Sequence, residues 1–455
     1  MTKSSKNNLT GRRTRISRRD FLRTSAIVGA GLLTACGPAA TQPSTGQQTG
    51  AEAKITEAPA VAKPVTVTYW YWADNPDWGE LFRKKVDEFN QSQNSIRVEA
   101  EAQPNTSATK EKLVQTAAAG GGGPDVTYAN TSWQQEFYDA GLSLPVGEFF
   151  DQWDEKDDIF AELVETHKIK PGQPLLYMPW GIQVDMHYYR SDFYDQAGLK
   201  PPDTFEQLVE NSKALTNPPD RYGFGLRGAD QFGFLLNFVN YMLNAGLTFT
   251  DGKGGSDLDT PAGVEMATRI AQLYWDGVAQ PSALQDRFPQ MVAQLQAGKL
   301  AQWGASINHS VLIVGADNKY DDVTGVTMWP KGEGHDRFVN MASAGNMIMK
   351  TTKNPEAAWE FITWLMEPDM VETYCKFLAF APPRKSVASR TYFQENRFQH
   401  LAVESAPHWG LYPYWHPKWV EFHQTTGVQL WQRVLQKEIP VEEMMKQLAD
   451  LMRAV

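Results

Sequence analysis

From Val65 onward, hydrophobic and polar positions follow an alternating strand and helix pattern. "VTVTYWYW", Val65–Trp72, is rich in β-branched and aromatic residues and predicts a strand. Asn75-Pro76 caps and starts a helix whose apolar positions Leu81, Phe82, Val86 and Phe89 recur at helical spacing. "IRVEAEA" from Ile96 alternates as a second strand, and a helix through Lys112, Leu113 and Ala117 stops at the four glycines 120–123. "PDVTYAN" supplies a third strand, followed by a helix over Trp133–Ala140. Helical periods return over Thr204–Leu215, Phe232–Leu243, Pro261–Trp275 and Phe288–Leu295, before a strand in "KLAQWGA" from Lys299. Such alternation predicts an α/β protein with helices on both faces of its sheets, arranged as two lobes. No internal repeat or heptad run interrupts it.

The first 64 residues break this pattern. "SRRDFLRTSAIVGAGLLTAC", Ser17–Cys36, has a basic lead, a short apolar run and small residues before the cysteine, the layout of an export signal. The run is too short to span a bilayer, which takes about 20 apolar residues. Ser17–Arg23 resembles a twin-arginine export signal, and Leu33-Thr34-Ala35-Cys36 resembles the lipobox of bacterial lipoproteins, which implies lipidation at Cys36. Stable anchoring needs more than one acyl chain, each buried methylene contributing about 0.8 kcal/mol. Residues 1–35 are therefore expected to be a signal peptide, and 36–64 a lipidated cysteine with a tether poor in large apolar residues. A flexible chain of that length spans on the order of 30 Å.

Charge narrows the partners. The 43 Lys/Arg and 53 Asp/Glu give a net charge of −10. Eight of the basic residues and one acidic residue precede Cys36, so the remainder carries 35 against 52, a net −17. A surface this acidic argues against nucleic acid, which calls for a basic stripe. Beyond Cys36 only Cys375 remains, so the exported part holds no internal disulfide and depends on its core.

Several stretches, in this order, resemble the extracellular solute-binding proteins of bacterial ABC importers, the family that includes maltose-binding protein. They include "GGGPDVTYANTSWQQEFYDAGLSLPVGEFF", "LLYMPWGIQVDMHYYRSDFYDQAGLKPPDTFEQLVENSKALT", "FPQMVAQLQAGKLAQWGASINHS" and "GVTMWPKGEGHDRFVNMASAGNMIMKTTKNPEAAWEFITWLMEP". The resemblance implies a two-lobed periplasmic-binding-protein fold with crossover hinge strands and a ligand cleft between the lobes. It places 65–180 plus 332–370 in lobe one and 181–331 plus 371–455, with the C-terminal helices, in lobe two. Expected partners are a small-molecule solute such as a sugar, the permease subunits with their ATPase, and the membrane through the lipid anchor. No cofactor and no metal are expected, and the protein is expected to act outside the cytoplasm, anchored to the cell membrane.

Ligands of open α/β sheets lie beyond the carboxyl ends of strands. Candidate contacts there are Trp72 and Asp74 after the first strand, and Asn130, Ser132 and Trp133 after the third. Flat rings suit the C–H face of a sugar, while amides, carboxylates and hydroxyls bond its OH groups. The crossing segment adds Trp180, Gln183 and Asp185; Asn308 follows the strand of "KLAQWGA", flanked by Ser306 and His309. Many sugar binders have a Trp about where Asn308 falls. Ser343, Gly345 and Asn346 come from "ASAGNM", and Arg384 from "PPRKSV". Asp74 and Asp185 read equally as caps or surface carboxylates, Arg384 as a structural tie, and Trp72, Trp133 and Trp180 as core. The loop His408–Trp419, "HWGLYPYWHPKW", either overhangs the cleft or wedges the last helices.

No H-E-x-x-H, G-x-S-x-G or phosphate-loop motif is present. His408, His416 and His423 lack tight metal-ligand spacing and read as structural. Two other functions fit parts of the pattern: a binder of polyamine, peptide or metal, and a secreted carbohydrate-active enzyme, which needs two carboxylates about 5–10 Å apart.

Overall fold

The computed structural model describes residues 63–73, 76–104, 107–168 and 172–454. The export signal, Cys36, the tether as far as residue 62, and Asp74 lie outside the described residues. Among the described residues nine strands follow in chain order: β1 (Val65–Trp72), β2 (Ile96–Gln103), β3 (Val126–Asn130), β4 (Ser143–Leu144), β5 (Met178–Arg190), β6 (Gln302–Ser306), β7 (Thr324–Met328), β8 (Val339–Met349) and β9 (Trp409–Gly410). The main path runs β2-β1-β3-β8-β5-β6, with β4 and β9 beside β8 and β7 beside β5. β2 and β3 flank β1 in parallel. The remaining pairings are antiparallel, except the short β8–β9 contact.

The organising element is β5. Its 13 residues, "MPWGIQVDMHYYR", are almost wholly buried, the near-continuous apolar pattern of a strand covered on both faces. Met178–Val184 pair with β8, whereas Asp185–Arg190 pair with β6 and β7. One strand thus serves two sheets and changes partners between Val184 and Asp185. β8 shares this double duty: Val339 and Asn340 pair with β9, Met341–Asn346 with β5, and Ala344–Met349 with β3 and β4.

Each half of β5 is fixed by large rings. Trp180 packs against Phe82, Tyr374 and Phe380 at centroid distances of 5.7, 5.4 and 5.8 Å. Further along, His187 meets Trp329, which also packs on Tyr241 at 5.3 Å. Two large cores result. The first joins β1, the helix Pro76–Ser92 and the helices 355–402 to both halves of β5, and the second is built from the helices between 205 and 273 with the C-terminal helices.

The helices form as their apolar periods predict, with local differences at their ends. Asn130 itself caps Thr131–Asp139, two residues earlier than the apolar pattern starts, because its side chain accepts the Ser132 N–H at 3.0 Å. The expected helix Phe232–Leu243 starts at the Asp230 cap and contains one π turn, Leu235–Val239. The strand in "KLAQWGA" begins only at Gln302, since Gly298 and Lys299 turn the chain out of the preceding helix. Among the described residues no helix is long and apolar enough to cross a membrane.

Close packing between crossing strands leaves one position no side chain at all. A Cβ on Gly345 would lie 2.3 Å from the Met178 carbonyl oxygen and 2.5 Å from the Tyr177 ring. Backbone on the neighbouring strand cannot yield, so Gly345→Ala is expected to destabilise the fold by about 1–3 kcal/mol. Urea denaturation measures this; an unchanged midpoint contradicts the packing.

Candidate ligand cleft

A cavity of about 1300 Å³ opens where the carboxyl ends of β1 and β3 face the second group of helices. Trp72 and Tyr128 end on it from the sheet, and the helix Thr131–Asp139 presents Ser132, Trp133, Gln135, Glu136 and Asp139. Lys110, Glu111, Val114 and Gln115 line it from the helix Ser107–Ala118. Gln183, Ala342 and Ser343 of the crossing strands, with Thr131, form its floor. The opposite wall consists of Gln231, Phe232 and Leu235, the loop Tyr414–Pro417, and Trp419, Val420, His423 and Gln424.

The sheet-side rings form one cluster: Trp72 lies 5.3 Å from Tyr128, which meets Trp133 edge-on at 5.9 Å. Trp133 stacks on Phe137 behind it. This backing holds the half-buried Trp133 ring in one orientation while leaving part of it open to the cavity. On the facing wall Phe232 and Val420 are 55% and 54% exposed, an amount of apolar surface that favours contact with something across the gap. Lys110 pairs with Glu136, so the one lysine on this wall is already neutralised.

Of the residues expected from sequence to meet a solute, Trp72, Asn130, Ser132, Trp133, Gln183 and Ser343 line this cavity. Asp74 lies outside the described residues, and the others lie elsewhere. Trp180 is fully buried among the three rings named above. Asn346 is buried and accepts the Tyr69 hydroxyl at 3.0 Å, and Gly345 serves strand packing. Arg384 is buried in a tie between segments, donating to Asp158 at 2.6 Å, Glu155 at 2.5 Å and the Met366 carbonyl at 2.6 Å. Asn308 follows β6 away from the cavity lining, and its neighbour His309 packs on Phe288 at 4.2 Å. Sequence reasoning missed Tyr128, Thr131, Gln115, Gln231 and Phe232. Tyr128 and Thr131 flank residues it did select; the others sit on helix faces whose direction depends on tertiary packing. The aromatic loop is settled in position: Tyr414, Trp415, His416 and Pro417 line the cavity.

Asp185 lies behind the floor, at the partner change of β5. Its Oδ2 accepts from Asn240 at 3.0 Å and Asn340 at 2.9 Å, and the Tyr412 hydroxyl lies 3.0 Å away. These donors come from a wall helix, β8 and the aromatic loop. Hydrogen bonds to a charged group contribute about 1.5–3 kcal/mol each, against a burial cost of several kcal/mol per ion. Burial still wins, since it pushes the carboxyl pKa up despite the three donors. Among the described residues no three His, Cys, Asp or Glu side chains group as a metal site. His423 Nδ1 bonds the Trp419 carbonyl, and His416 Nδ1 accepts the Lys418 N–H.

Comparison with known proteins places this geometry in a class. Solved structures that match it over most of the chain are two-lobed solute-binding proteins. The sugar-binding protein MalE from Xanthomonas citri aligns with a TM-score of 0.74 at 18% identity, covering 85% of this chain and 97% of that one. A solute-binding protein from Thermotoga lettingae bound with α-D-tagatose aligns at 0.70 and 21% identity, covering 86% and 99%. A mannitol-binding protein of Pseudomonas aeruginosa is 26% identical over 266 residues, 55% of this chain and 58% of that protein. The family model for bacterial extracellular solute-binding proteins matches residues 72–372, and the chain belongs to that family. Its role is therefore to bind a substrate, and its relatives are binding proteins rather than enzymes.

Two outcomes follow from the site's electrostatics. Asp185→Ala strands the buried Asn240 and Asn340 amides, while Tyr412 keeps the Asn240 amide oxygen at 3.0 Å; it is expected to cost about 3 kcal/mol in urea unfolding, whereas Asp185→Asn, which keeps an acceptor oxygen, costs about 1 kcal/mol. Equal losses for the two variants contradict the assigned contacts.

Burial also lowers the pKa of His167, His187 and His309 from 6.5 to about 4. Above pH ~6.5 the histidines are neutral in both states and their stabilising contribution is complete. As pH falls toward 4 the unfolded chain binds protons that the folded chain refuses, so stability drops; below 4 that contribution is gone. At about 1.4 kcal/mol per pKa unit the three give a loss on the order of several kcal/mol. Melting temperature should fall between pH 6.5 and 4, with a shallower fall in His187→Gln; identical slopes contradict this account.

Proposed function

We propose that this chain is the lipid-anchored, extracytoplasmic substrate-binding protein of an ABC importer, capturing a sugar, oligosaccharide or polyol and delivering it to the permease. The observation that carries the reading is the cleft itself: rings on both walls, amides and hydroxyls between them, and about 1300 Å³ of space. Drug-sized ligands occupy pockets of about 300–1,000 Å³, so this volume suits an extended, hydroxyl-rich solute in a cleft that still has room to narrow. Relatives support the class, since the names above include binders of mannitol and tagatose.

Capture would proceed by closure. The walls are joined through β5 and β8, and small rotations near Val184–Asp185 bring Phe232 and Val420 toward the helix carrying Val114. A solute shifts that equilibrium only by its differential affinity for the closed form. The lobe boundaries 65–180 with 332–370 and 181–331 with 371–455 belong to this proposal. So does anchoring through Cys36, supported by the arginine pair and the small residues before the cysteine. No bond chemistry is assigned to the protein.

A thermal-shift screen of the chain against mannitol, maltose, maltotriose, tagatose, spermidine and zinc tests the class. A shift with a sugar or polyol is expected, and Trp133→Ala should weaken that binding about tenfold or more through loss of ring stacking. Stabilisation by spermidine or zinc alone, with none by any sugar or polyol, overturns the reading.

A further inference from the structure

His167, Tyr177, Thr131 and Ser343 meet beneath the cleft floor, and Thr131 and Ser343 are part of that floor. His167 Nδ1 lies 2.8 Å from the Leu163 carbonyl oxygen, a group that only accepts. Nδ1 therefore carries the proton, because a bare nitrogen there would set two lone pairs against each other. Nε2 is left bare. It lies 2.6 Å from Ser343 Oγ and 3.1 Å from the Tyr177 hydroxyl, and those two hydroxyls are 2.6 Å apart.

One proton assignment satisfies both short contacts: Ser343 donates to His167 Nε2, and Tyr177 donates to Ser343. The opposite order, Tyr177 to Nε2 and Ser343 to Tyr177, leaves Nε2 and Ser343 Oγ 2.6 Å apart with no proton between them. Thr131 then donates to Tyr177 at 3.2 Å while its own oxygen accepts the Ser343 N–H at 2.8 Å. Every donor in the ring is committed inward, and the series ends on a backbone carbonyl. A hydroxyl has one proton and two lone pairs, so Ser343 and Thr131 each keep one lone pair and no proton.

We propose that His167 is a positioning residue for solute selection: through Ser343, Tyr177 and Thr131 it makes the two hydroxyls of the cleft floor present lone pairs alone, so that Ser343 and Thr131 accept only from solute groups that donate, while the neighbouring Gln183 amide keeps its own N–H groups. A solute hydroxyl or ammonium satisfies the two floor hydroxyls. An ether, a fluorine or an anionic oxygen at the same place meets lone pairs with no proton to share. The affinity test rests on the carbohydrate reading above; the proton assignment does not.

Two measurements on the full chain decide it. In ¹⁵N-histidine NMR, the signal lost in His167→Gln is expected to report the Nδ1–H tautomer with a bare Nε2; an Nε2–H tautomer overturns the proposal whether or not any sugar binds. Calorimetric titration then compares mannitol and maltotriose with their single deoxyfluoro derivatives. At one hydroxyl the fluoro derivative should bind about tenfold more weakly to the wild type and to His167→Gln, whose amide oxygen still accepts from Ser343. In His167→Leu the freed Ser343 hydroxyl turns outward, and the loss should shrink to about twofold. Ser343→Ala, which removes the lone pair, should erase the same difference and serves if His167→Leu does not fold. Equal fluorine penalties in wild type, His167→Leu and Ser343→Ala overturn the proposal. Failure of both sugars to bind overturns the carbohydrate reading, and the tautomer then decides the proton assignment alone.

Discussion

A single strand paired into two sheets is the constraint on which this molecule depends. β5 must satisfy its backbone groups against β8 at one end and against β6 and β7 at the other, so neither sheet is complete without it. A buried carboxylate sits at the change of partners, held by donors from three separate segments. Burying that charge is unfavourable taken alone, and its pKa direction says so. What it provides is convergence: a wall helix, the second crossing strand and the aromatic loop all take their positions from one oxygen atom.

The cleft inherits its character from this arrangement. Rings come from strand ends, from the loop, and from the helices that carry Trp133 and Phe232; polar groups come from helix faces and from the crossing strands below. The sheet-side rings are buttressed by other rings and the floor hydroxyls by a buried histidine, so both the flat and the polar contacts are fixed before any solute arrives. Preorganisation of this kind lowers the ordering cost of binding. The facing wall is less committed, with Phe232 and Val420 more than half exposed.

Much of the fold was legible in the chain. Strand periods at Val65–Trp72 and Ile96–Gln103, and the helices after them, follow directly from alternation and caps. Strand ends pointed to Trp72, Asn130, Ser132 and Trp133, and the crossing segment to Gln183; one cavity brings these five together. Legibility failed where a residue's role depends on what lies across from it. Trp180 and Gln183 lie three residues apart on β5, but the register shifts between Pro179 and Gly181, so alternation alone does not say which face each one takes. Arg384 reads as a site cation by type, yet two carboxylates some 230 positions earlier in the chain, invisible to any local window, claim it. Phe232 was hidden for the converse reason: an apolar residue on an amphipathic helix is ordinarily core, and here it is not.

The aromatic loop carries Tyr414 and Trp415 at the cleft wall only two and three residues beyond Tyr412, whose hydroxyl reaches Asp185 where β5 changes partners. Lining and the buried Asp185 contact are therefore carried by the same dozen residues. On the closure proposed above, that loop cannot be lengthened, shortened or swapped to fit another solute without also disturbing the Tyr412–Asp185 contact. Change of solute is then channelled toward point changes on the exposed faces of Thr131–Asp139 and Ser107–Ala118, which bear no such second duty.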